Sequence, residues 1–263
     1  MFRFCNLFSG SSGNSSFVES DTTKILIDCG ESAKKITETL NEIQVNIKEI
    51  DAILITHEHI DHIKSIGTLS NKYNIPIYAN EETINAIPFE KFKLSKENIH
   101  IFDFSEDFNI GNLQIHPFSI PHDAANPCGF NILYNNKKIS IATDIGHITK
   151  EILSNLEKSS FLLLESNYDP EVLKCGSYPY RLKTRILGPT GHLPNSTAGK
   201  TISLLLESGL NTAILGHLSK ENNFPDLAYS TVLEELRLSN ANFDKLDLSV
   251  ASRSEPTKLF NVV

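Results

Sequence analysis

Four side chains able to bind a metal ion fall within six residues of one another: His57, His59, Asp61 and His62. Neutral imidazole and carboxylate are ligands that zinc, manganese and iron accept in proteins. Their spacing suits two adjacent metal ions better than one. Because a protein site that leaves a coordination position open at such an ion is catalytic, the motif predicts a metal-dependent enzyme.

The elements around this motif must position it. It follows the apolar, β-branched run Asp51–Thr56, which predicts a buried strand. If the extended backbone continues, His57 and His59 point to the same side, because strand side chains alternate. The last two residues of the motif lie where the chain must turn into a helix predicted over Ile63–Tyr73.

The run His57–His62 resembles the signature of the metallo-β-lactamase fold hydrolases. The resemblance implies further ligands at strand ends, and His122, Asp144 and His217 each follow a predicted strand. It also implies two divalent metal ions (Zn, Mn or Fe) that activate water near neutral pH. In the family pattern one ion is held by His57, His59 and His122, the other by Asp61, His62 and His217, and Asp144 bridges both.

A closer likeness covers most of the chain, because four further stretches resemble the YycJ (WalJ) group of bacterial proteins: Ser9–Asn14, Ser119–Ala124, Gly191–Asn195 and Gly216–Asn223. That group is regarded as DNA exonucleases of 5′-to-3′ polarity. The resemblance implies a dinuclear phosphodiesterase that acts on DNA or RNA ends. The chain departs from the group at His147 and Pro194, which bears on substrate preference rather than on the metal ligands.

Two further residues are expected to act beside the ligand Asp61 in catalysis. The tRNA-processing relatives of this family pair a histidine with a glutamate at the scissile phosphate, and His192 and Glu165 match those roles by order and context. The implied role of His192 is proton donation. The alternative for His192 is a cap for the helix predicted from Ser196. Asp28, which ends a predicted strand, is expected to orient a ligand histidine or to serve a turn.

Other members of the family fit less well. The short span from His122 to Asp144 leaves no room for the tRNA-binding arm of the 3′-processing endonucleases, and the span to His217 is too short for an added nuclease domain. True β-lactamases lack the bridging aspartate, and diiron flavoproteins carry glutamate where this chain has His59. The competing hypothesis is a thioester or lactone hydrolase with the same ligands. A non-catalytic module is disfavoured because every ligand position is filled.

Composition sets wider bounds. The 263 residues are 40% hydrophobic and 21% charged, without an apolar run of membrane length or a signal peptide, which predicts a cytoplasmic protein. Four scattered cysteines predict reduced thiols. The net charge of −8 argues against broad phosphate-backbone binding, although two divalent ions would reverse the charge locally. Four basic residues lie near the presumed site: Arg181, Lys183, Arg185 and Lys220. They could bind the phosphate backbone of a nucleic-acid strand, or they could be a solvated surface run.

Strand-rich blocks followed by strand–helix units occur twice along the chain. Two sheets packed face to face with helices outside both, a four-layered αββα sandwich of the α/β (α+β) class, is the simplest arrangement. We expect residues 1–263 to form one domain. Local signals include a helix capped by Ser32 and a hairpin turn at Asn135-Asn136. The loop Ser9–Ser15 is either a turn that needs positive φ at Gly10 and Gly13 or a loop that faces the substrate.

Overall fold

The computed structural model describes residues 1–262, which contain two seven-stranded sheets. The first sheet begins with β1 (Arg3–Phe8), β2 (Ser15–Glu19), β3 (Lys24–Ile27), β4 (Ala52–Leu54), β5 (Ile77–Ala79) and β6 (Ile99–Ile101). The second sheet contains β7 (Phe108–Ile110), β8 (Leu113–Ser119), β9 (Cys128–Tyr134), β10 (Lys137–Ala142), β11 (Phe161–Glu165), β12 (Thr212–Gly216) and β13 (Asp247–Val250). The last strand, β14 (Phe260–Asn261), returns to the first sheet and pairs with β1.

Each sheet joins an antiparallel half to a parallel half. In the first sheet β1, β2 and β3 are antiparallel, and β3 to β6 run parallel. In the second sheet β7 to β10 are antiparallel, and β10 to β13 run parallel. Because parallel strands end at the same edge of a sheet, each half gathers its strand-end loops, where α/β proteins place ligand sites.

Ten α-helices connect the strands of residues 1–262. They are α1 (Ala33–Glu42), α2 (Ile60–Ile63), α3 (Ile66–Tyr73), α4 (Glu81–Ala86), α5 (Phe89–Phe92), α6 (Lys150–Leu156), α7 (Pro170–Cys175), α8 (Tyr180–Leu187), α9 (Asn195–Leu206) and α10 (Pro225–Leu238). Within the described chain, none of them is both long enough and apolar enough to pass through a bilayer.

Three buried apolar clusters separate four layers. Side chains such as Phe4 and Phe130 fill the space between the two sheets. On the outside of the first sheet, Leu26 packs with residues of α1 and α3. On the outside of the second, Leu164 packs with residues of α6, α9 and α10, which include Ile202. Alternate strand residues therefore serve different layers, and the predicted αββα sandwich is confirmed.

Local predictions had mixed outcomes. Ser32 caps α1 by accepting a hydrogen bond from the Lys35 N–H (3.3 Å), as predicted. The turn between β9 and β10 holds Asn135 and Asn136 at φ +47° and +62°, the left-handed pair that a two-residue hairpin needs. The prediction for Gly13 was wrong: it makes a close approach to Gly30 rather than a positive-φ turn.

The predicted helix over Ile63–Tyr73 was also wrong in its start. The helical backbone begins at Ile60 as α2, breaks at Lys64-Ser65, and resumes as α3 at Ile66. The break follows from Ser65, whose N–H and Oγ both donate to Cys29 O (3.0 and 3.2 Å). Helices α7 and α8 have no counterpart among the predicted elements.

Candidate metal centre

The seven predicted ligands lie together where strands of both sheets end. Strand β4 stops at Leu54, earlier than expected, so His57 and His59 are carried by a loop and not by an extended strand. Asp61 and His62 belong to the single turn of α2. The other three follow strands of the second sheet, as predicted: His122 after β8, Asp144 after β10 and His217 after β12.

Three strand-end residues at this edge share an unusual backbone. Asp28, Asp144 and His217 have φ values of +61°, +59° and +55°, in the left-handed region that side chains other than glycine rarely adopt. Such conformations cost on the order of 1–3 kcal/mol each and concentrate at functional sites. All three side chains are buried in the same cluster. The sharp turn at each strand end therefore aims a polar side chain into the centre.

The first group of ligand atoms comes from three histidines. His57 Nε2 lies 3.0 Å and His122 Nε2 lies 3.3 Å from His59 Nδ1. All three atoms lie within 4.8 Å of one another. Ring nitrogens that carry lone pairs repel at this distance unless a proton or a cation lies between them.

The second group combines carboxylate and imidazole. His62 Nε2 and His217 Nε2 lie 3.7 and 3.8 Å from Asp61 Oδ2. Asp144 lies between the two groups, because its Oδ2 is 3.2 Å from His62 Nε2 and its Oδ1 is 3.6 Å from His122 Nε2. Asp144 Oδ1 also lies 3.5 Å from His217 Nδ1, so the carboxylate borders both groups and could bridge two cations.

Two atoms at the middle of this cluster test whether a metal fits. Asp144 Oδ2 and His217 Nε2 are buried and make no hydrogen bond with any part of the described chain. A buried acceptor without a partner is costly, whereas a divalent cation would satisfy both atoms. The donor set of imidazole and carboxylate therefore fits two divalent metal ions, with His57, His59 and His122 around one and Asp61, His62 and His217 around the other.

The outer nitrogens of four histidines are held by oxygen atoms. The Nδ1 pairs are His57 with Thr56 Oγ1 (3.0 Å), His62 with Asp28 Oδ2 (2.7 Å), His122 with Gly191 O (3.0 Å) and His217 with Glu165 Oε1 (2.7 Å). An Nδ1–H that donates outward leaves Nε2 as the lone-pair nitrogen that faces the centre. This tautomer is inferred from the hydrogen-bond partners. The contact of Asp28 with His62 matches the orienting role expected for that aspartate.

Burial and neighbouring charges shift the pKa values of these histidines in opposite directions. Burial and the neighbouring imidazoles hold the pKa of His57 well below its ordinary value, and burial lowers the pKa of His122. Burial acts the same way on His217, but Asp144, Asp61 and Glu165 outweigh it and raise its pKa to about 10. Likewise Asp144 and Asp28 raise the pKa of His62 despite burial. The second group therefore attracts positive charge more strongly.

Glu165 joins His192 to this network. Its Oε1 accepts from His192 Nδ1 (2.9 Å) as well as from His217, and its Oε2 accepts from the N–H groups of Ile145 (2.8 Å) and Leu193 (3.0 Å). Burial alone would raise the pKa of Glu165, but His192 and His217 hold it below its ordinary value. The carboxylate is therefore ionised and fixed by four hydrogen bonds.

His192 does not cap a helix. The residue preceding α9 is Pro194, and no side chain caps this helix terminus. The ring of His192 instead lines a cleft of about 190 Å³ above the cluster, together with ligand residues. The alternative reading of His192 was thus wrong, and its position beside Asp144 (3.8 Å from Nδ1 to Oδ1) agrees with a role at the site.

One wall of the cleft was predicted only in Arg185, which was expected near the site. It consists of Tyr178 and of Leu182, Arg185 and Ile186 on α8. The four-residue spacing from Tyr178 to Leu182 to Ile186 is a helical signal that could have identified this wall. On the opposite rim Ser11, from the glycine- and serine-rich loop, also faces the cleft.

The four basic residues near the site differ in their pairing, their exposure and their position relative to the cleft. Arg185 is bound to Asp123 by two hydrogen bonds, one of them 2.9 Å long. Arg181 and Lys220 are exposed, and neither lines the cleft. Lys183 lies on the face of α8 that points away from the cleft.

A glycine supports the metal motif from beneath. A Cβ at Gly30 would lie 1.6 Å from Asp61 O, so a side chain at this position is sterically excluded. The same carbonyl accepts from Asn14 N–H (2.8 Å), and His62 O accepts from Cys29 N–H (2.7 Å). The turn of α2 thus rests directly on the backbone that follows β3.

Comparison with known proteins agrees with this geometry. The family model of a beta-lactamase superfamily domain matches residues 23–218, a span that contains all seven predicted ligands. The chain is 40% identical over 237 residues to exodeoxyribonuclease WalJ of Streptococcus pneumoniae serotype 2 (strain D39), covering 89% of this chain and 88% of that protein. It is 36% identical over 236 residues to exodeoxyribonuclease YycJ of Bacillus anthracis, covering 89% of each.

Among solved structures, the metallo-beta-lactamase fold protein YhfI from Bacillus subtilis superposes with a TM-score of 0.71. The superposition covers 98% of this chain and 100% of YhfI at 16% sequence identity. At this identity the match speaks for the fold alone.

Proposed function

The chain belongs to the beta-lactamase superfamily, and from this membership we propose that it is a metal-dependent phosphodiesterase that degrades DNA (or RNA) from its ends as a 5′-to-3′ exonuclease. The observation that carries the proposal is 40% identity to an exodeoxyribonuclease over 89% of the chain. The paired ligand groups joined by Asp144 support it, because two cations clamp both the attacking and the leaving oxygen of a phosphodiester.

The proposed cofactors are two divalent ions, of Zn, Mn or Fe, on the two ligand groups described above. Bound there, such ions would lower the pKa of a coordinated water and stabilise negative charge on the phosphate. The chain itself contributes the fixed orientation of the ligands. Thr56, Asp28, Gly191 and Glu165 each hold one ring so that its Nε2 faces inward.

We assign different roles to the two non-ligand residues. His192 lines the cleft and commits Nδ1 to Glu165, so Nε2 is the ring nitrogen available to a substrate. It donates a proton to the leaving oxygen or to phosphate. Glu165 was expected among the catalytic residues, but it is fully buried and acts through His192 and His217. It is a positioning residue.

The test uses purified protein loaded with Mn²⁺ or Zn²⁺, a 5′-phosphorylated oligonucleotide, and a glutathione thioester. We expect a ladder of products that shortens from the 5′ end, abolished by Asp61→Asn. Asp226→Asn, which changes an exposed carboxylate outside the cleft, is the matched control and should cleave normally. Thioester cleavage without nucleotide release would instead establish the competing hydrolase.

We further propose that the protein works in the reducing cytoplasm. Three of its cysteines are buried and unpaired, and Cys175 is exposed and also unpaired. Burial raises the pKa of the Cys5 thiol to about 11, which makes it unreactive. Intact-mass analysis of protein purified without reductant should find four free thiols.

A further inference from the structure

The charge of one segment of the chain, residues 172–206, differs from that of the rest. Residues 172–206 contain no aspartate or glutamate, although the whole protein has a net charge of −8. The same residues contain five cations: Lys174, Arg181, Lys183, Arg185 and Lys200. The segment includes α8, the wall of the cleft. An anionic partner would therefore meet a locally basic surface beside the candidate metal centre.

The two faces of α8 border different spaces. Leu182, Arg185 and Ile186 face the cleft. On the opposite face, Tyr180, Lys183, Thr184 and Leu187 line an open hollow of about 570 Å³, together with Lys174 and Gly188. Since an α-helix is about 10 Å across, one helix separates the hollow from the cleft. A chain that leaves the cleft over α8 would reach the hollow directly.

The hollow contains an aromatic ring in an unusual position. Tyr180 is 85% exposed, the highest value among the large apolar and aromatic side chains described for residues 1–262. Leu187, also in the hollow, is 47% exposed. Neither residue contributes to the core, and together they present an apolar surface with a free ring face.

The cations beside the ring differ in their pairing. Lys174 is paired with Glu171, and Arg185 with Asp123. Lys183 Nζ donates to Lys174 O (2.6 Å) instead of to a carboxylate, and Arg181 forms no ion pair within the described part of the chain. Two uncompensated positive charges therefore flank Tyr180 on the helix.

We propose that the outer face of α8 is a stacking platform for the single-stranded part of the nucleic-acid substrate. A base stacks on the Tyr180 ring beside Leu187, while Arg181 and Lys183 meet the phosphates on either side of that base. An aromatic face next to a basic track is how proteins bind single strands without reading their sequence. The inference rests on the proposed function, because it names the surface that holds the strand outside the cleft.

The test compares Tyr180→Ala and Tyr180→Phe in the metal-loaded enzyme. Loss of a base–aromatic stack should raise KM for a single-stranded oligonucleotide about 5- to 150-fold in Tyr180→Ala, and Tyr180→Phe should restore it. Hydrolysis of bis(p-nitrophenyl) phosphate, which is too small to reach α8's outer face, should not change. Tyr229→Ala is the matched control, since Tyr229 is 38% exposed on α10 and lines neither the cleft nor the hollow.

Salt dependence separates stacking from charge. Lys183→Ala should reduce the slope of log affinity against log salt by about 0.7, the value for one phosphate contact on a single strand. Tyr180→Ala should weaken binding without changing that slope.

Three outcomes would overturn the inference. If the native enzyme shortens oligonucleotides and Tyr180→Ala does so with an unchanged KM, the platform is wrong while the proposed function stands. If Tyr180→Ala instead dissociates a dimer with KM unchanged, the outer face is an interface between copies. If the native protein neither binds nor cleaves oligonucleotides, the proposed function fails and the platform fails with it.

Discussion

The two halves of the candidate metal centre are supported by different chemistry. In the half formed by His57, His59 and His122, the outer ring nitrogens contact neutral oxygens, Thr56 Oγ1 and Gly191 O. In the half formed by Asp61, His62 and His217, they contact the carboxylates of Asp28 and Glu165. Burial and the neighbouring imidazoles lower the pKa of His57, whereas Asp144, Asp61 and Glu165 outweigh burial and raise the pKa of His217 to about 10.

The difference teaches that the two halves are not equivalent cation sites. The carboxylate-supported half contains Asp61 as a ligand and two further negative charges one hydrogen bond away. Two carboxylates lie beside the histidine half, Asp144 and Asp123, at 3.6 and 3.4 Å from His122 Nε2, and the charge of Asp123 is already paired with Arg185. A divalent ion should therefore bind more tightly in the carboxylate-supported half, and substitutions in the two halves should have separable consequences.

The largest effect should come from the residue that the halves share. Asp144→Asn removes one charge and one acceptor oxygen between the two groups, so we expect loss of one bound metal and turnover below detection. Metal content by mass spectrometry and oligonucleotide cleavage would measure both. Asp247→Asn, in a surface ion pair with Lys258, is the control. A fully metal-loaded and active Asp144→Asn protein would remove the basis for treating the halves as one centre.

His192→Ala should reduce turnover by roughly 10²–10⁴-fold, the usual contribution of a general acid. Both halves should keep their metal, because His192 supports no ligand directly and contacts Glu165 from the cleft side. The readouts are kcat and metal stoichiometry measured on the same sample. Loss of metal would instead make His192 a ligand or a structural residue.

Of the two halves, Glu165→Gln should weaken metal binding in the carboxylate-supported one, where Glu165 holds His217. The amide oxygen must face the N–H groups of Ile145 and Leu193, so its NH₂ faces the Nδ1 atoms of His192 and His217. His217 would then carry its proton on Nε2, the atom that faces the metal. We expect a loss of about 10- to 100-fold in metal affinity at that half, measured by Co²⁺ binding spectra.

The control for that experiment is Glu171→Gln, which alters a surface pair with Lys174. If Glu165→Gln lowered metal affinity equally in both halves, the proposed difference between the halves would be wrong.

The smallest effect concerns the order in which the metals leave. A limiting amount of chelator should remove the ion of the histidine half first, since fewer negative charges hold it. The affinity difference should be on the order of tenfold, the lower range for one supporting carboxylate. Anomalous diffraction from crystals of the half-depleted protein would locate the remaining ion. If the remaining ion lay beside His59, the carboxylate-supported half would have lost its ion first, and the prediction would be wrong.

The ligands could be predicted because their types and places are local properties. A histidine-rich motif after an apolar run, and polar residues at strand ends, are visible without tertiary information. The number of residues over which β4 pairs with its neighbour could not be predicted from the sequence. Its register with β5 covers only Ile53 and Leu54, and the last backbone hydrogen bond between them runs from Ile55 N–H to Tyr78 O (2.9 Å), so the strand stops and a loop carries the histidines. Register with a neighbouring strand decided that outcome.

Helices α7 and α8, the second of which forms part of the cleft wall, were missed for a different reason. Both helices are short, and the basic residues of α8 were read as either a solvated run or a path for a strand. Yet Asp169-Pro170 is a helix-start signal, and the Asp169 side chain does cap α7 by accepting from Val172 N–H (3.0 Å). The packing of Leu182 and Ile186 against the cleft required the fold.

The contact beneath the metal motif has a consequence for natural variation. Gly30 binds no ion and touches no substrate, yet any larger residue there would push the Asp61 carbonyl and its helical turn out of place. An inactivating allele could therefore arise at a position with no chemistry of its own. In a mutational survey this glycine would be as intolerant as a ligand, and its intolerance would report backbone proximity instead of reactivity.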